Sequence, residues 1–290
     1  MANPFFEGKT LLVAFEGWND AAEGASGVLR HLVGELEAEL VGAVDPEDYY
    51  DFAFSRPTVS SDVDGTREIT WPGAEILKTS RAKVDENPRL GDLYLLVGNE
   101  PARRWKSFTA EIMEFVDDCE IDRVIFLGAV PSDSPHTRPI KVSMSSQNAL
   151  IRQQFAIEPS DYEGPVGIIS ILAMALEQAG IPSLALWAPV PHYVHNSPSP
   201  KAMFSLLLEL ERGAGRVFGR HGTVCGTNQT WSALCRFAGS GCTNAPRAGS
   251  RGTGAGGPQG RGRRPAGHRT GVAGGQPVSR RPPRTSRIAV

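Results

Sequence analysis

Cysteine is scarce in this sequence. Four occur in 290 residues, and only Cys119 lies among the first 212, which excludes a disulfide framework there. The other three, Cys225, Cys235 and Cys242, lack the short paired spacing of zinc sites. No apolar run reaches the ~18 residues that a membrane-spanning helix needs. The opening MANPFFEGKT has no basic segment leading into an apolar one, so no secretory signal is expected and the chain reads as cytoplasmic. The sharpest absence is of acid: residues 213–290 contain no Asp, Glu, Lys or Tyr.

That absence divides the chain. Residues 1–212 carry all 32 acidic groups against 17 Lys/Arg, hence −15, whereas residues 213–290 carry 13 Arg and 18 Gly. The overall charge of −2 is the sum of two unlike pieces. The acidic piece has globular composition and length enough to bury a core. Its charge argues against nucleic acid and anionic membrane as partners. The Arg/Gly-rich piece keeps no helical or alternating period and cannot offset its chain entropy, so disorder is expected. A genuine disordered tail is one reading, and an RNA-binding or metal-binding module is another. The expected reading is out-of-frame translation of a GC-rich gene, which explains why the break falls inside the helix-patterned SPKAMFSLLLELE. The expected organisation is one domain over 1–212 and a tail over 213–290.

Within 1–212, apolar strand-like runs alternate with helical periodicity. LLVAFE (11–16), DLYLLVG (92–98), IDRVIFLGAV (121–130) and LALWAPV (184–190) read as buried strands, with shorter ones at 39–43 and 141–144. Asp20, with Glu23 three residues on, reads as a capping box opening a helix to about residue 40. Pro101 suits the first turn of the helix that carries Trp105, Phe108, Ile112 and Phe115. Two further helices are expected over 166–179 and 200–211, and Asp64-Gly65 signals a β-hairpin insertion near 57–80. Continuous apolar strands separated by helices imply a single α/β domain, its mostly parallel sheet covered by helices on both faces.

In such a sheet, sites lie beyond the carboxyl ends of the strands. The turn after the first strand offers Trp18, Asn19 and Asp20, but FEGWNDAAEG fits neither GxGxxG nor GxxxxGK[ST], has no lysine, and reads first as a packed corner. After the next strand come Asn99 and Glu100. Glu100 reads first as a helix cap and second as a substrate-facing carboxylate. VPSDSPHTRP supplies Ser132, His136 and Arg138, yet no G-x-S-x-G elbow accompanies them. APVPHYVHNSPSP supplies His192, Tyr193 and His195, a proline-stiffened contact loop rather than a metal site, since no third ligand is evident. No cofactor and no metal are expected.

Taken together, GWNDA at 17–21, Glu100-Pro101 with Trp105, GPVGI at 164–168, and GIP followed by LWAPVPHYV and SPSPKA resemble the proteasome assembly chaperone 2 family in its actinobacterial branch. The similarity covers roughly residues 5–211. It implies an α/β, phosphorylase/hydrolase-like fold without the established catalytic residues of purine nucleoside phosphorylases. It also implies self-assembly into homo-oligomers, and relatives that assist or engage the proteasome. Some relatives dock through a C-terminal hydrophobic-Tyr-any tripeptide, whereas this sequence closes with Ile288-Ala289-Val290. The expectation is therefore a non-enzymatic assembly or interaction factor, with proteasome subunits or another ring as partner. The competing reading is a small-molecule-binding protein or enzyme using the strand-end polar residues.

Overall fold

Alternation of apolar side chains along four strands decides the architecture. The computed structural model describes residues 5, 8–62, 64–86, 92–194 and 197–214. Their strands are β1 (Thr10–Glu16), β2 (Glu39–Ala43), β3 (Thr58–Ser61), β4 (Arg67–Thr70), β5 (Ala74–Lys78), β6 (Leu93–Asn99), β7 (Arg123–Ser132), β8 (Ser143–Ser145) and β9 (Ser183–Pro191). Their helices are α1 (Ser26–Glu35), α2 (Pro46–Tyr49), α3 (Arg81–Glu86), α4 (Trp105–Asp118), α5 (Ala149–Phe155), α6 (Ile168–Gln178) and α7 (Pro200–Ala214).

Seven strands form one sheet in the order β2-β5-β6-β1-β7-β9-β8. The central four, β6-β1-β7-β9, are parallel neighbours, while β5 and β8 run against them. Because side chains alternate across a pleat, each central strand feeds two cores. Leu12, Ala14, Leu95, Ile125, Leu127, Leu184 and Leu186 pack with α1 and α7 on one face. Leu11, Val13, Phe15, Leu96, Val124 and Phe126 pack with α4 and α6 on the other. Each central strand therefore needs an unbroken apolar run, as the sequence has. The result is the expected single α/β domain with a mostly parallel sheet between helices.

Several local expectations change. The hairpin is confined to β3 and β4, an antiparallel pair outside the main sheet. The stretch 74–78, assigned to the insertion from sequence, instead enters the main sheet between β2 and β6 as β5. No capping box forms at Asp20. Ala22 and Glu23 take positive φ (54° and 51°), so a 3-10 turn intervenes before α1. Asp20 Oδ1 then accepts hydrogen bonds from Ala25 N (2.7 Å) and Ser26 N (3.3 Å), while Glu23 pairs with Arg30. Pro101 lies outside α4, which begins at Trp105 after Arg104 adopts φ 55°. The last helix continues to Ala214, three residues past the expected end. The remainder of the Arg/Gly-rich piece, with Cys225, Cys235 and Cys242, lies outside the described residues, as does His195.

Candidate functional site

Parallel strands end on one edge of the sheet, so the loops after β1, β6, β7 and β9 share a rim. The residues expected there fall into two groups.

The first group is a corner built by three sequence motifs. Gly17 takes φ +119°, a value that favours glycine, and turns the chain sharply after β1. This throws Trp18 into solvent at 71% exposure while Asn19 and Asp20 turn inward and are buried. Asn19 O accepts from Ala129 N (2.8 Å), which ties the turn to β7. Asn99 Nδ2 donates to Glu16 Oε2 (3.1 Å), and Arg30 also pairs with Glu16. Glu100 is the hub. Its Oε1 accepts from Ile168 N (2.8 Å), capping α6 from another part of the chain, and its Oε2 accepts from Trp18 N at 3.4 Å. Gly167, the N-cap of α6, lets the three segments meet: a Cβ there would overlap Asn19 Nδ2 and press on Glu100 Oε1. Glu100 is thus a helix cap, but for α6 rather than for the helix that follows it. Asn19 Nδ2 is buried and has no hydrogen-bond partner among the described residues.

The second group surrounds the loop after β7. Tyr193 Oη accepts from His136 N (2.8 Å) and meets His136 Nδ1 at 2.8 Å, which fastens the β7 loop to the segment after β9. His192 Nδ1 stands 3.4 Å from Asp133 Oδ1. Ser132 Oγ bonds Ser134 Oγ (2.9 Å), and among the described residues no histidine bonds either serine as a nucleophile's base would. Between this loop and the start of α7 opens a cavity of ≈ 1000 Å³. Pro139, Ile140, Pro191 and Val194 give it an apolar wall, and Arg138, Lys141 and Lys201 bring positive charge.

Lys201 was not among the residues the sequence singled out. Its ammonium donates to His136 O (2.7 Å) and Arg138 O (2.6 Å), and burial pushes its pKa down. A signal was present: a lysine directly after the helix-opening Pro200 sits at the positive end of the helix dipole, where cations are disfavoured. Among the described residues, no group of three or more His, Cys, Asp and Glu is placed to hold a metal ion. No helix among them is long and apolar enough to cross a membrane.

Residues 14–217 match the model of the PAC2 family. The chain belongs to the PAC2 family. A PAC2 family protein of Streptomyces avermitilis is 36% identical, aligns over 80% of this chain and 92% of its own, and superposes with a TM-score of 0.66. A proteasome-assembly chaperone homologue of Mycobacterium tuberculosis is 35% identical over 79% of this chain and 90% of its own, with a TM-score of 0.64. An archaeal proteasome activator of Pyrococcus furiosus, 14% identical over 81% of this chain and 91% of its own, shares the fold at a TM-score of 0.52. The comparison with curated proteins returned no match. The corner formed by GWNDA, Glu100 and GPVGI lies within the matched residues, joined there by the bonds of Glu100 to Ile168 N and Trp18 N.

Proposed function

We propose that this PAC2 protein is a non-enzymatic assembly or interaction factor that self-associates and docks on proteasome subunits or a comparable ring. Membership of the family, with a proteasome-assembly chaperone homologue among its relatives, supports the reading. The observation that carries it is the apolar strip on the β3–β4 hairpin. Every residue of both strands is exposed, and Val59 pairs directly with Ile69. Trp71 directly follows β4, is half exposed, and meets Phe52 edge to face at 5.0 Å. Phe54, two residues after Phe52, is 87% exposed. A two-stranded ribbon is marginal in water by itself, and a contiguous apolar strip on such a ribbon suits burial against a partner protein.

The test is co-elution of the full chain with proteasome α and β subunits, with light scattering to give the mass of the free chain. Burying a Val or Ile side chain stabilises by ~1.5–3 kcal/mol. The double substitution Val59→Lys, Ile69→Lys is therefore expected to weaken co-elution tenfold or more, with the melting temperature unchanged. Absence of co-elution with either subunit, or indifference to the double substitution, would sink the reading.

A further inference from the structure

Lys201 is the most awkwardly placed charge among the described residues. It is 9% exposed, and among the described residues its ammonium bonds only neutral acceptors, the carbonyls of His136 and Arg138. No carboxylate stands within ion-pair distance of it among the described residues. Burying an ammonium without a counter-charge is costly. Its place as second residue of the fifteen-residue α7 adds an unfavourable term, because the helix N-terminus is itself positive. The two carbonyls accept its hydrogen bonds, but neither carries the opposite charge.

The space it faces supplies the missing half. The cavity beside it carries two further cations, Arg138 and Lys141, against one acid, Asp133. Asp133 points into solvent, with His192 rather than Lys201 as its neighbour. Pro139, Ile140, Pro191 and Val194 line the same cavity with apolar surface. The volume, ≈ 1000 Å³, lies at the upper end of the range for small-molecule sites.

We infer that this cavity binds a small organic oxyanion, with its phosphate or carboxylate on Lys201 and Arg138 and its apolar body against the proline wall. The anion provides the counter-charge that Lys201 lacks and meets the positive end of α7. Because Lys201 also fastens the β7 loop, occupancy rigidifies that loop and the Tyr193 segment attached to it. This site is separate from the hairpin strip, so the two readings stand or fall independently.

The experiment titrates the full chain, at fixed ionic strength, with phenyl phosphate, benzoate, inorganic phosphate and uncharged benzyl alcohol, by calorimetry and thermal shift. Saturable binding of phenyl phosphate or benzoate is expected, with benzyl alcohol inert. Whichever aromatic anion binds tighter identifies the acid group, and weaker binding of inorganic phosphate than of phenyl phosphate reports the apolar wall. Lys201→Met is expected to weaken binding at least tenfold and Lys201→Arg to retain it. Arg138→Gln, whose exposed side chain is not needed for folding, is expected to weaken binding several-fold at unchanged melting temperature. If no anion binds saturably, or if Lys201→Met and Arg138→Gln bind like the wild type, Lys201 serves only to fasten the loop and the inference is wrong.

Discussion

Glu100 joins three chain segments with one carboxylate, accepting from the start of α6 and from the Trp18 turn. Glu100→Gln exchanges one of those acceptors for a donor facing an N–H. A loss of about 1–3 kcal/mol is expected, read as a lower urea midpoint at constant slope. Gly167→Ala attacks the same corner from the other side. Its Cβ overlaps the buried Asn19 amide, and overpacking of this kind costs about 1–3 kcal/mol. A Gly167→Ala protein as stable as the wild type would show that the corner is loose. The neighbouring tyrosines respond to pH. Burial raises Tyr49, with a hydrogen bond to Glu111 adding to it, and burial alone raises Tyr50. The folded state keeps protons that the unfolded chain releases from about pH 10. Their contribution is full below that pH and declines as pH rises beyond it. Tyr50→Phe forfeits the bond to Asn99 O (2.9 Å) but is expected to flatten the alkaline fall by up to ~1.4 kcal/mol per pH unit. Urea unfolding at pH 9, 10 and 11 checks this.

Among elements, the hairpin and the helices obey different rules. α1, α4, α6 and α7 each bury an apolar stripe on the sheet, and removing any of them would uncover one of the two cores. β3 and β4 bury nothing: all eight residues are exposed. Thr58 and Thr70 are paired across the ribbon, so a short Gly/Ser link can replace what lies between them. Such a deletion is expected to leave the melting temperature within a few degrees and the far-ultraviolet spectrum of the domain intact, while abolishing co-elution with proteasome subunits. A collapse of the fold instead would mean that the ribbon belongs to the core. The β7 loop is a third case. It is an exposed segment held by Tyr193 and Lys201, two side chains from after β9, so its order depends on contacts remote in sequence.

At the scale of the whole molecule, composition changes at residue 213 and the family match closes at 217. Removal of residues 218–290 is expected to leave the melting temperature unchanged, because the apolar periodicity that builds the two cores ends with α7. A second expectation concerns the coding DNA: another frame beyond Arg212 should continue an acidic, helix-periodic sequence, and the absence of one would refute out-of-frame translation. The architecture was legible because each central strand, buried on both sides, must be apolar throughout, as residues 11–15 and 184–188 are. The hairpin was legible in Asp64-Gly65. What escaped was set by partners distant in the chain. β5 looked like part of the insertion until β2 and β6 bonded to its two edges. Glu100 looked like a cap for its own helix until α6 arrived with Gly167. Lys201 was not singled out until the carbonyls of His136 and Arg138 met its ammonium. The sequence by itself determined which segments had to be buried, because apolar periodicity is local. Only the tertiary structure decided which polar groups meet, because a hydrogen bond or a buried charge takes its meaning from neighbours that the chain brings from far away.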